Sequence, residues 1–397
     1  MPIIWDILII SALTYVTPFC LWIGWLGAAS LFRSRASQPA KPRNRFRILI
    51  PSHNESEIID KTLGGLVNLT YPRERFEVIV IADNCTDNTA ELARNHDVTV
   101  WERSDLTQKS KGHALSWAIE KLFQGDAGDF DGVVVIDADT LVHPRLLDWF
   151  SHYLDLGCDY IQGYYNGSNK ESSWRTKLLS YALSLINGAY LAGSHASGIS
   201  VALRGNGMCF SKDGLARNPW QAATLAEDIE FSWKLRLRGE RVAFAPEAMV
   251  YGELVSGNHK GTVSQRQRWE VGRRLLRQLF TKEIVRSSTL SFWSKGIALV
   301  DLYMVPIARL AMGLSLGTLF IAASYMFSGS LASFYGLWVM MLTFCIGIYA
   351  ISPVLGGYIK ASYLLALGHF PKYLLWKFAL LFRQGPQSWQ RTQREST

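Results

Sequence analysis

Residues 132–139 read GVVVIDAD, so four β-branched apolar residues in succession precede Asp137 and Asp139. A continuous apolar run of this length predicts a strand buried on both faces, with a segment of core helix as the alternative. In open α/β sheets, ligands bind at the carboxyl ends of the strands. Because residues i and i+2 of an extended chain point to the same side, the two carboxylates could together bind Mg²⁺ or Mn²⁺. For an isolated Asp-X-Asp, a solvated turn is the other interpretation.

The composition limits the classes of partner. The chain has 397 residues, of which 49% are hydrophobic and 19% charged, and its net charge is +8. This basic excess suits an anionic membrane surface or an anionic substrate. Nucleic acid is not an expected partner, because no Lys/Arg-rich run carries an aromatic recognition motif. The five scattered cysteines form no C-x-x-C pair, which argues against a zinc site and against a disulfide framework.

The first long apolar run, residues 7–32, is almost uncharged and long enough to span a bilayer. Six basic residues follow it within residues 33–47, whereas only Asp6 precedes it. The positive-inside rule therefore places the end after Phe32 in the cytoplasm. We expect a signal anchor and not a cleaved signal peptide, because the basic residues follow the apolar run.

Two further spans are predicted at residues 297–327 and 331–355. The first carries Asp301 and Arg309, which could pair or lie near an interface. Basic residues then mark a return to the cytoplasm, namely Lys360, Lys372, Lys377 and Arg383.

The segments after these spans, 362–370 and 373–382, have about half the spanning length and predict interfacial or re-entrant helices split near Pro371. A fourth span, which would put the basic C-terminus outside, is the alternative.

Between the first and second spans, strand and helix patterns alternate. Strands are predicted at 47–51, 76–81, 98–101, 132–136 and 159–165, and helices at 57–68, 88–95, 112–123, 172–191 and 229–238. This alternation predicts an α/β, Rossmann-like domain with a largely parallel, doubly wound sheet. Asp83 and Asp139 would then both lie at the binding edge. Thr86 or Asp87 is the expected cap of the second helix.

Three later segments carry candidate functional groups. The glycine-punctuated run 204–210 should let the backbone approach a ligand closely. Glu227 and Asp228 open the helix at 229–238, although acids in a first turn are also favoured by the helix dipole alone. The basic, amphipathic helix that begins at Gln265 suits an anionic lipid surface, at least in its second half.

Six short elements occur in a defined order: Pro51-Ser52-His53-Asn54-Glu55, Ala82-Asp83-Asn84, Lys111-Gly112, Asp137-Ala138-Asp139, Glu227-Asp228 and Gln265-x-x-Arg268-Trp269. In this ordered set the chain resembles the membrane-integrated GT-A glycosyltransferases of family 2. That family includes cellulose, hyaluronan and poly-N-acetylglucosamine synthases, ceramide glucosyltransferases and many bacterial exopolysaccharide transferases. The resemblance implies a nucleotide-sugar-binding GT-A domain in the cytosol, together with transmembrane and interfacial helices.

The resemblance also implies how the donor is bound. The uracil and ribose of a UDP-sugar would be held by Pro51, His53, Glu55 and Asp83. Lys111 would lie near the nucleotide. Asp139, helped by Asp137, would bind Mg²⁺ or Mn²⁺ on the diphosphate.

On the acceptor side, the resemblance makes Asp228 the general base and Glu227 a substrate-binding residue. The family's common Thr-Glu-Asp begins with Ala226 here, which leaves the base in place. The diphosphate and acceptor sugar would be covered by Gln265, Arg268 and Trp269. Stacking on a sugar is the expected role of this tryptophan, and a place at the lipid interface is the alternative.

The chemistry follows from these groups. A metal and Arg268 can neutralise the charge that develops on the leaving diphosphate. A single carboxylate base and an in-line displacement invert the anomeric centre, so an α-linked donor gives a β-linked product. The leading hypothesis is therefore a metal-dependent, inverting transferase that uses a UDP-sugar and a hydroxyl acceptor on a lipid-linked sugar or growing polysaccharide.

Three alternatives remain. The first is a processive polysaccharide synthase with a channel. The second is a polyprenyl-phosphate sugar synthase, against which the Gln-x-x-Arg-Trp element argues. The third is a catalytically inactive, nucleotide-binding membrane sensor, against which intact Asp83, Asp139 and Asp228 argue.

The chain should be a multi-pass protein of the plasma (inner) membrane with a cytoplasmic catalytic domain. The expected order is an N-terminal span (1–32), a linker (33–45), the GT-A domain (46–262), basic interface helices (263–296), two spans (297–355), and interfacial helices with a basic tail (356–397). Three spans enclose little volume, so a pore would need a partner or an oligomer. We therefore expect the monomer to add one or a few sugars.

Overall fold

A computed structural model describes residues 2–33, 38–39, 41–125, 129–222, 224–254, 260–325 and 331–372, and it describes only the backbone of 2–5, 260–269, 319–325 and 331–333. These ranges contain an α/β domain with one eight-stranded sheet and a set of long apolar helices at both ends of the chain.

The strands are β1 Phe46–Ser52, β2 Phe76–Asp83, β3 Thr99–Arg103, β4 Gly132–Val135, β5 Thr140–Val142, β6 Tyr160–Gly167, β7 Met208–Ser211 and β8 Val242–Gly252. Their order in the sheet is β3-β2-β1-β4-β7-β6-β8-β5. The helices of the α/β domain are α2 Ile59–Leu66, α3 Thr89–Arg94, α4 Lys111–Phe123, α5 Leu146–Asp155, α6 Trp174–Leu183, α7 Tyr190–Ala196, α8 Lys212–Arg217 and α9 Glu227–Leu237, after α1 Pro2–Leu31.

Strand β4 is buried along its whole length, as the apolar run predicts. Val133 and Val135 pack into one core of the domain, whereas Val134 and Ile136 pack into the other. This alternation is the two-residue period of a strand that is covered on both faces.

The sheet is parallel except at β7 and β5, since β6 and β8 also pair in parallel in its second half. β1 pairs in parallel with β2 and β4, and β2 with β3, as the strand–helix alternation predicts. β7, however, is antiparallel to both β4 and β6, and β5 is antiparallel to β8. The predicted, largely parallel sheet is therefore confirmed, except that β5 and β7 run opposite to the other six strands. The cause is local, because Gly207 N donates to Val135 O (3.0 Å), so β7 begins where β4 ends and must run back beside it.

Two predicted helices differ in detail. The segment 172–191 is not one regular helix: a π-helical turn at Ser184–Ala189 separates α6 from α7. In α3, the N-cap residue is Asn88, not the predicted Thr86 or Asp87. Asp87 nevertheless accepts a hydrogen bond from Thr89 N (3.1 Å), so it satisfies a backbone group in the first turn.

The helices outside the sheet are α1, α10 Lys260–Arg286, α11 Phe292–Leu302, α12 Ile307–Tyr325 and α13 Leu331–Leu355, and all of them except the basic α10 are apolar. Within the described chain, two helical segments are long and apolar enough to cross a membrane, Asp6–Leu31 and Phe334–Leu355. They pack closely, since a Cβ on Gly24 would lie 2.8 Å from Cys345 Cβ, and one on Gly27 would lie 2.8 Å from Tyr349 Cα.

The predicted span 297–327 is not one continuous helix. α11 and α12 meet at 85° across a short break, and they make a third crossing only if the bent pair counts as one span. Pro306 lies in the break; it has no backbone N–H to donate and disfavours helical geometry in the residue before it. Beyond α13, a 3₁₀ helix occupies Ala361–His369, close to the predicted interfacial segment 362–370. The predicted helix 373–382 lies outside the described residues.

Candidate active site

The loops after β1 and β2 form one side of the cleft. Asn54 and Asn84 follow these strands with positive φ angles of 56° and 52°, a conformation that asparagine tolerates better than most residues. Asn54 Oδ1 accepts a hydrogen bond from Thr86 N (2.7 Å), which ties the two loops together. The carboxyl ends of the parallel strands therefore present a fixed rim.

Asp83 is the buried centre of this rim. Its Oδ1 is 2.7 Å from Nη1 of Arg103, and both residues are only 7% exposed. His53 Nδ1 lies 2.8 Å from the carbonyl oxygen of Asp83. Pro51 of β1 is the register partner of Ile81 of β2, two residues before Asp83. The structure thus brings together Pro51, His53 and Asp83 of the predicted nucleotide-binding set. Glu55 is close by, since its N–H donates to Thr89 Oγ1 (2.8 Å).

Sequence reasoning missed Arg103. The sequence did not single it out, because only the sheet makes Arg103, at the end of β3, the register partner of Asp83 at the end of β2. Its guanidinium also contacts Asp105 (3.0 Å) and the Gln108 carbonyl (3.0 Å), so the carboxylate of Asp83 is held in one orientation.

Lys111 joins the Asp137-Ala138-Asp139 turn to the glycine-rich loop. It is the first residue of α4, which Ser110 caps by accepting from His113 N. Its Nζ donates to the Asp137 carboxylate and to the Gly205 carbonyl oxygen. Burial alone would lower the pKa of Lys111, but the carboxylates around it outweigh burial and raise that pKa, so the side chain is a cation.

The residue after Lys111 is Gly112, and a side chain at this position would collide with neighbouring backbone. A Cβ at this position would lie 2.3 Å from the carbonyl oxygen of Ala222 and 3.1 Å from Glu227 Cβ. Only glycine allows the start of α4 to approach the start of α9 this closely. Lys111 is thereby placed beside the two acids of α9.

Glu227 and Asp228 form the first turn of α9. Burial, and then the charge of Asp228, raise the pKa of Glu227 to about 7. Burial also raises the pKa of Asp228, while the N–H of Ile229, Lys111 and Arg204 oppose that shift. These raised pKa values are not what a cap alone would give, since a carboxylate that serves only as a cap is stabilised in its charged form.

The glycine-rich run, predicted to let the backbone approach a ligand, lies against Asp228. Gly205 has φ +75°, and a Cβ on it would lie 3.2 Å from Asp228 Oδ2. Asn206, missed by sequence reasoning, fastens this loop to the Asp-X-Asp turn: its Oδ1 accepts from Asp137 N (3.2 Å) and its Nδ2 donates to Thr140 Oγ1 (2.7 Å).

Asp137 and Asp139 fit a divalent cation that also binds a ligand's phosphates. Among the described residues, no group of three or more His, Cys, Asp or Glu side chains could hold a metal. Two carboxylates leave the other positions to phosphate oxygens and water, which is how proteins commonly bind Mg²⁺. Burial and these two carboxylates raise the pKa of Tyr165, so a neutral phenol, also missed from the sequence, lies beside them.

The Gln-x-x-Arg-Trp element, with Gln265, Arg268 and Trp269, lies in the part of α10 for which only the backbone is described. The same helix contacts the site directly, because a Cβ on Gly272 would lie 3.0 Å from Ala226 Cβ. α10 therefore passes beside the residue that precedes Glu227 and Asp228. The roles of its three motif side chains stay predictions.

The sequence was compared with known protein families and with curated proteins. The model of the family described as "Glycosyltransferase like family 2" matches residues 42–272. The poly-beta-1,6-N-acetyl-D-glucosamine synthase of Staphylococcus aureus (strain COL) is 32% identical over 245 residues, which cover 59% of this chain and 56% of the synthase. The corresponding synthase of Staphylococcus epidermidis is 29% identical over 234 residues, 56% of this chain and 53% of the synthase. The chain thus spans about half the length of these relatives.

Among solved structures, a mannosyltransferase from Pyrobaculum calidifontis, in complex with GDP-Man and Mn²⁺, matches 89% of this chain and 98% of its own length. The TM-score is 0.55 and the sequence identity 16%, so this similarity shows the fold alone. The fold is the α/β fold of GT-A glycosyltransferases, and the family model covers more than half of the chain. The protein belongs to glycosyltransferase family 2.

Proposed function

We propose that this protein is a membrane-bound, metal-dependent, inverting glycosyltransferase that moves a sugar from a UDP-sugar to an acceptor hydroxyl. The observation that carries the proposal is the meeting of three elements around Gly205. The Gly205 carbonyl oxygen accepts a hydrogen bond from Lys111, which also donates to Asp137. A Cβ on Gly205 would lie 3.2 Å from Asp228 Oδ2. One short loop thus joins the expected diphosphate side to the expected base.

On the donor side, Asp83 with Pro51, His53 and Glu55 would bind the uracil and ribose. Asp137 and Asp139 would hold Mg²⁺ or Mn²⁺, which neutralises charge on the leaving diphosphate when bound. Lys111 adds a fixed positive charge at the same place. This preorganised charge supports departure of UDP, because donors aimed at developing charge stabilise the transition state.

On the acceptor side, Asp228 would take the proton from the attacking hydroxyl. Burial makes its carboxylate a stronger base than an exposed one, while Lys111 and Arg204 favour its charged form. A general base is most effective when its pKa lies near the working pH. With one base and direct attack, the configuration at the anomeric carbon inverts.

The donor sugar that the relatives favour is N-acetylglucosamine, because their names specify a poly-N-acetylglucosamine product. The acceptor would be a lipid-linked sugar or a growing polysaccharide. The segments Asp6–Leu31 and Phe334–Leu355 support a membrane-held enzyme, with the catalytic domain on the cytoplasmic side of the plasma membrane. The domain division predicted from the sequence is carried into this proposal unchanged.

The test is a screen of UDP-sugars with the purified full-length chain in detergent. Each donor is supplied with Mg²⁺ or Mn²⁺, with and without membrane-extracted lipid acceptors, and UDP release and product mass are measured. We expect UDP-N-acetylglucosamine to give an acceptor-dependent product with a β-linkage. Binding of UDP without hydrolysis or transfer for every donor would favour the sensor, and transfer to a bare lipid phosphate would favour the polyprenyl-phosphate synthase.

A further inference from the structure

Arg204 is held in a fixed position beside the proposed base. Its own N–H donates to Gln162 Oε1 (2.7 Å), and the N–H of Leu203 donates to Ser232 Oγ (2.8 Å). Ser232 in turn donates to the Asp228 carbonyl oxygen (2.8 Å). The backbone that carries Arg204 is therefore tied both to β6 and to the first turn of α9.

The side chain of Arg204 lacks a partner for its charge. Its Nε is buried and has no hydrogen-bond partner, and no ion pair joins its guanidinium to a carboxylate in the described part of the chain. Arg204 is half-buried, and burying its Nε without a hydrogen-bond partner is unfavourable unless an anion accompanies it. Asp228 is near enough to attract it, but not near enough to form an ion pair. The site is therefore incomplete in the protein alone.

Arg204 also lies within electrostatic reach of the long apolar helices. It interacts electrostatically with Tyr349 of α13, within the membrane-crossing segment Phe334–Leu355. Tyr349 is itself fixed, since its hydroxyl donates to the Leu185 carbonyl oxygen (2.9 Å) and its backbone packs against Gly27 of α1. A ligand that reaches both Arg204 and Asp228 would thus lie between the base and the spanning helices.

The donor does not need this cation. The carboxylates that would hold the metal, together with Lys111, already serve the expected diphosphate position. An acceptor held by the membrane, in contrast, would approach from the long apolar helices, which lie within electrostatic reach of Arg204. If that acceptor is a sugar linked to a lipid through phosphate, its phosphate supplies the missing anion. Arginine is suited to this task, because its planar guanidinium binds phosphate through two parallel hydrogen bonds.

We propose that Arg204 binds the phosphate of a phosphate-linked lipid acceptor and so holds the acceptor's sugar at Asp228. This inference rests on the proposed function, and it narrows the acceptor to an anionic lipid-linked sugar. The required chemistry is a phosphate ester on an apolar chain, which also distinguishes it from a neutral glycolipid.

The first test measures binding and needs no turnover. Full-length protein in a neutral detergent is titrated with farnesyl phosphate, farnesol, inorganic phosphate and phosphatidylglycerol, for the wild type, Arg204→Gln, Arg204→Lys and the surface control Arg94→Gln. Arg94 pairs with exposed Glu102 far from the membrane helices. We expect farnesyl phosphate to bind best and Arg204→Gln to weaken it by about 10- to 100-fold, the loss of a charged hydrogen bond. Arg204→Lys should retain part of the affinity, and Arg94→Gln all of it.

Equal binding of farnesyl phosphate by the wild type and Arg204→Gln would overturn the proposal. Affinity for phosphatidylglycerol equal to that for farnesyl phosphate would also overturn the proposal, because the site would then bind any phospholipid headgroup. Binding of inorganic phosphate as tight as that of farnesyl phosphate would mean a free-phosphate site and would overturn the lipid assignment.

The second test separates acceptor binding from an effect on the base. Two acceptors with the same terminal sugar are compared, one a lipid phosphate ester and one a neutral alkyl glycoside. Arg204→Gln should raise KM for the phosphate ester by about tenfold or more and leave KM for the neutral acceptor and the donor unchanged. Equal losses on both acceptors, with a shifted pH profile, would mean that Arg204 only sets the ionisation of Asp228. Phosphate-selective binding without any transfer by the wild type would support this site and refute the proposed function.

Discussion

Replacing Asp228 by asparagine tests the proposed base with little change of shape. The N–H of Ile229 lowers the pKa of Asp228, and an amide oxygen can face that N–H in the same way. A Cβ on Gly205 would lie 3.2 Å from Asp228 Oδ2. This close approach is the same for an aspartate and for an asparagine side chain. The substitution therefore removes a charge and a proton acceptor, and leaves the packing of α9 intact.

We expect Asp228→Asn to lower kcat by about 10²–10⁴-fold, the usual loss for a general base. This range corresponds to about 3–5 kcal/mol of transition-state stabilisation. Donor affinity should change little, because Asp228 would act only on the acceptor proton, whereas Lys111 contacts Asp137 on the donor side. The charge that raises the pKa of Glu227 would also be gone, so the pKa of Glu227 should fall below about 7.

The assay combines UDP binding by calorimetry with sugar transfer followed by mass spectrometry at saturating donor. Asp213→Asn is the matched control, because Asp213 is exposed in the first turn of α8 and should give wild-type values. If Asp228→Asn keeps more than about a tenth of wild-type turnover, the residue is not the base. If UDP affinity falls in parallel with turnover, the carboxylate belongs to the donor site and the division of roles is wrong.

Four further outcomes are expected. Burial raises the pKa of Asp228 above the 3.8 of an ordinary aspartate, and a base works only when it is ionised. We therefore expect kcat/KM to fall as the pH drops through that raised pKa. A flat pH profile down to pH 4 would contradict this. Chelation should abolish activity and Mg²⁺ or Mn²⁺ restore it, and Asp139→Ala should lose metal-dependent UDP binding; full activity in excess EDTA would exclude the metal. Arg103→Gln should weaken UDP binding and lower the melting temperature, because breaking a buried ion pair costs about 3–5 kcal/mol, and unchanged values would make the pair with Asp83 dispensable. In sealed vesicles with the catalytic domain outside, only short lipid-linked products should form, and long polymer protected inside would require a pore.

The elements that could be predicted from the sequence are those set by local pattern. The apolar run before Asp137 is buried on both faces, and the glycines at 205 and 207 have the positive φ angles that only glycine adopts without strain. The start of α9 at Glu227 follows from acids favoured in a first helical turn. In each case a few neighbouring residues determine the geometry, so a single sequence is enough.

What the sequence did not reveal depends on contacts between distant segments. The direction of β7 follows from where Gly207 meets β4, and a buried strand has the same apolar pattern in either direction. Arg103 and Arg204 are each one basic residue among many until the sheet places them beside Asp83 and Asp228. The break between α11 and α12 was signalled by Pro306, but the run around it is apolar throughout and predicted one span.

The charged residues of the predicted span explain how the catalytic helix is tied to the membrane part. Asp301 and Arg309 do not pair with each other. Asp301 lies 3.0 Å from Nη1 of Arg236, and Arg309 lies 2.8 Å from Glu270 of α10. Asp301 also accepts from the hydroxyl of Tyr190, to which Trp22 of α1 donates (3.2 Å).

Arg236 lies near the end of α9, the helix that begins with the proposed base. One rigid helix therefore connects Asp228 to a polar network shared by α1, α7 and α11. Partly buried charges that are joined in this way specify one arrangement of the elements that carry them. Asp301 and Arg309 thus pair with α9 and α10 and do not line a path for a hydrated polymer. Such a path would need unpaired polar groups along the helices. This is the physical ground for expecting a monomer that extends a membrane-held acceptor by few sugars.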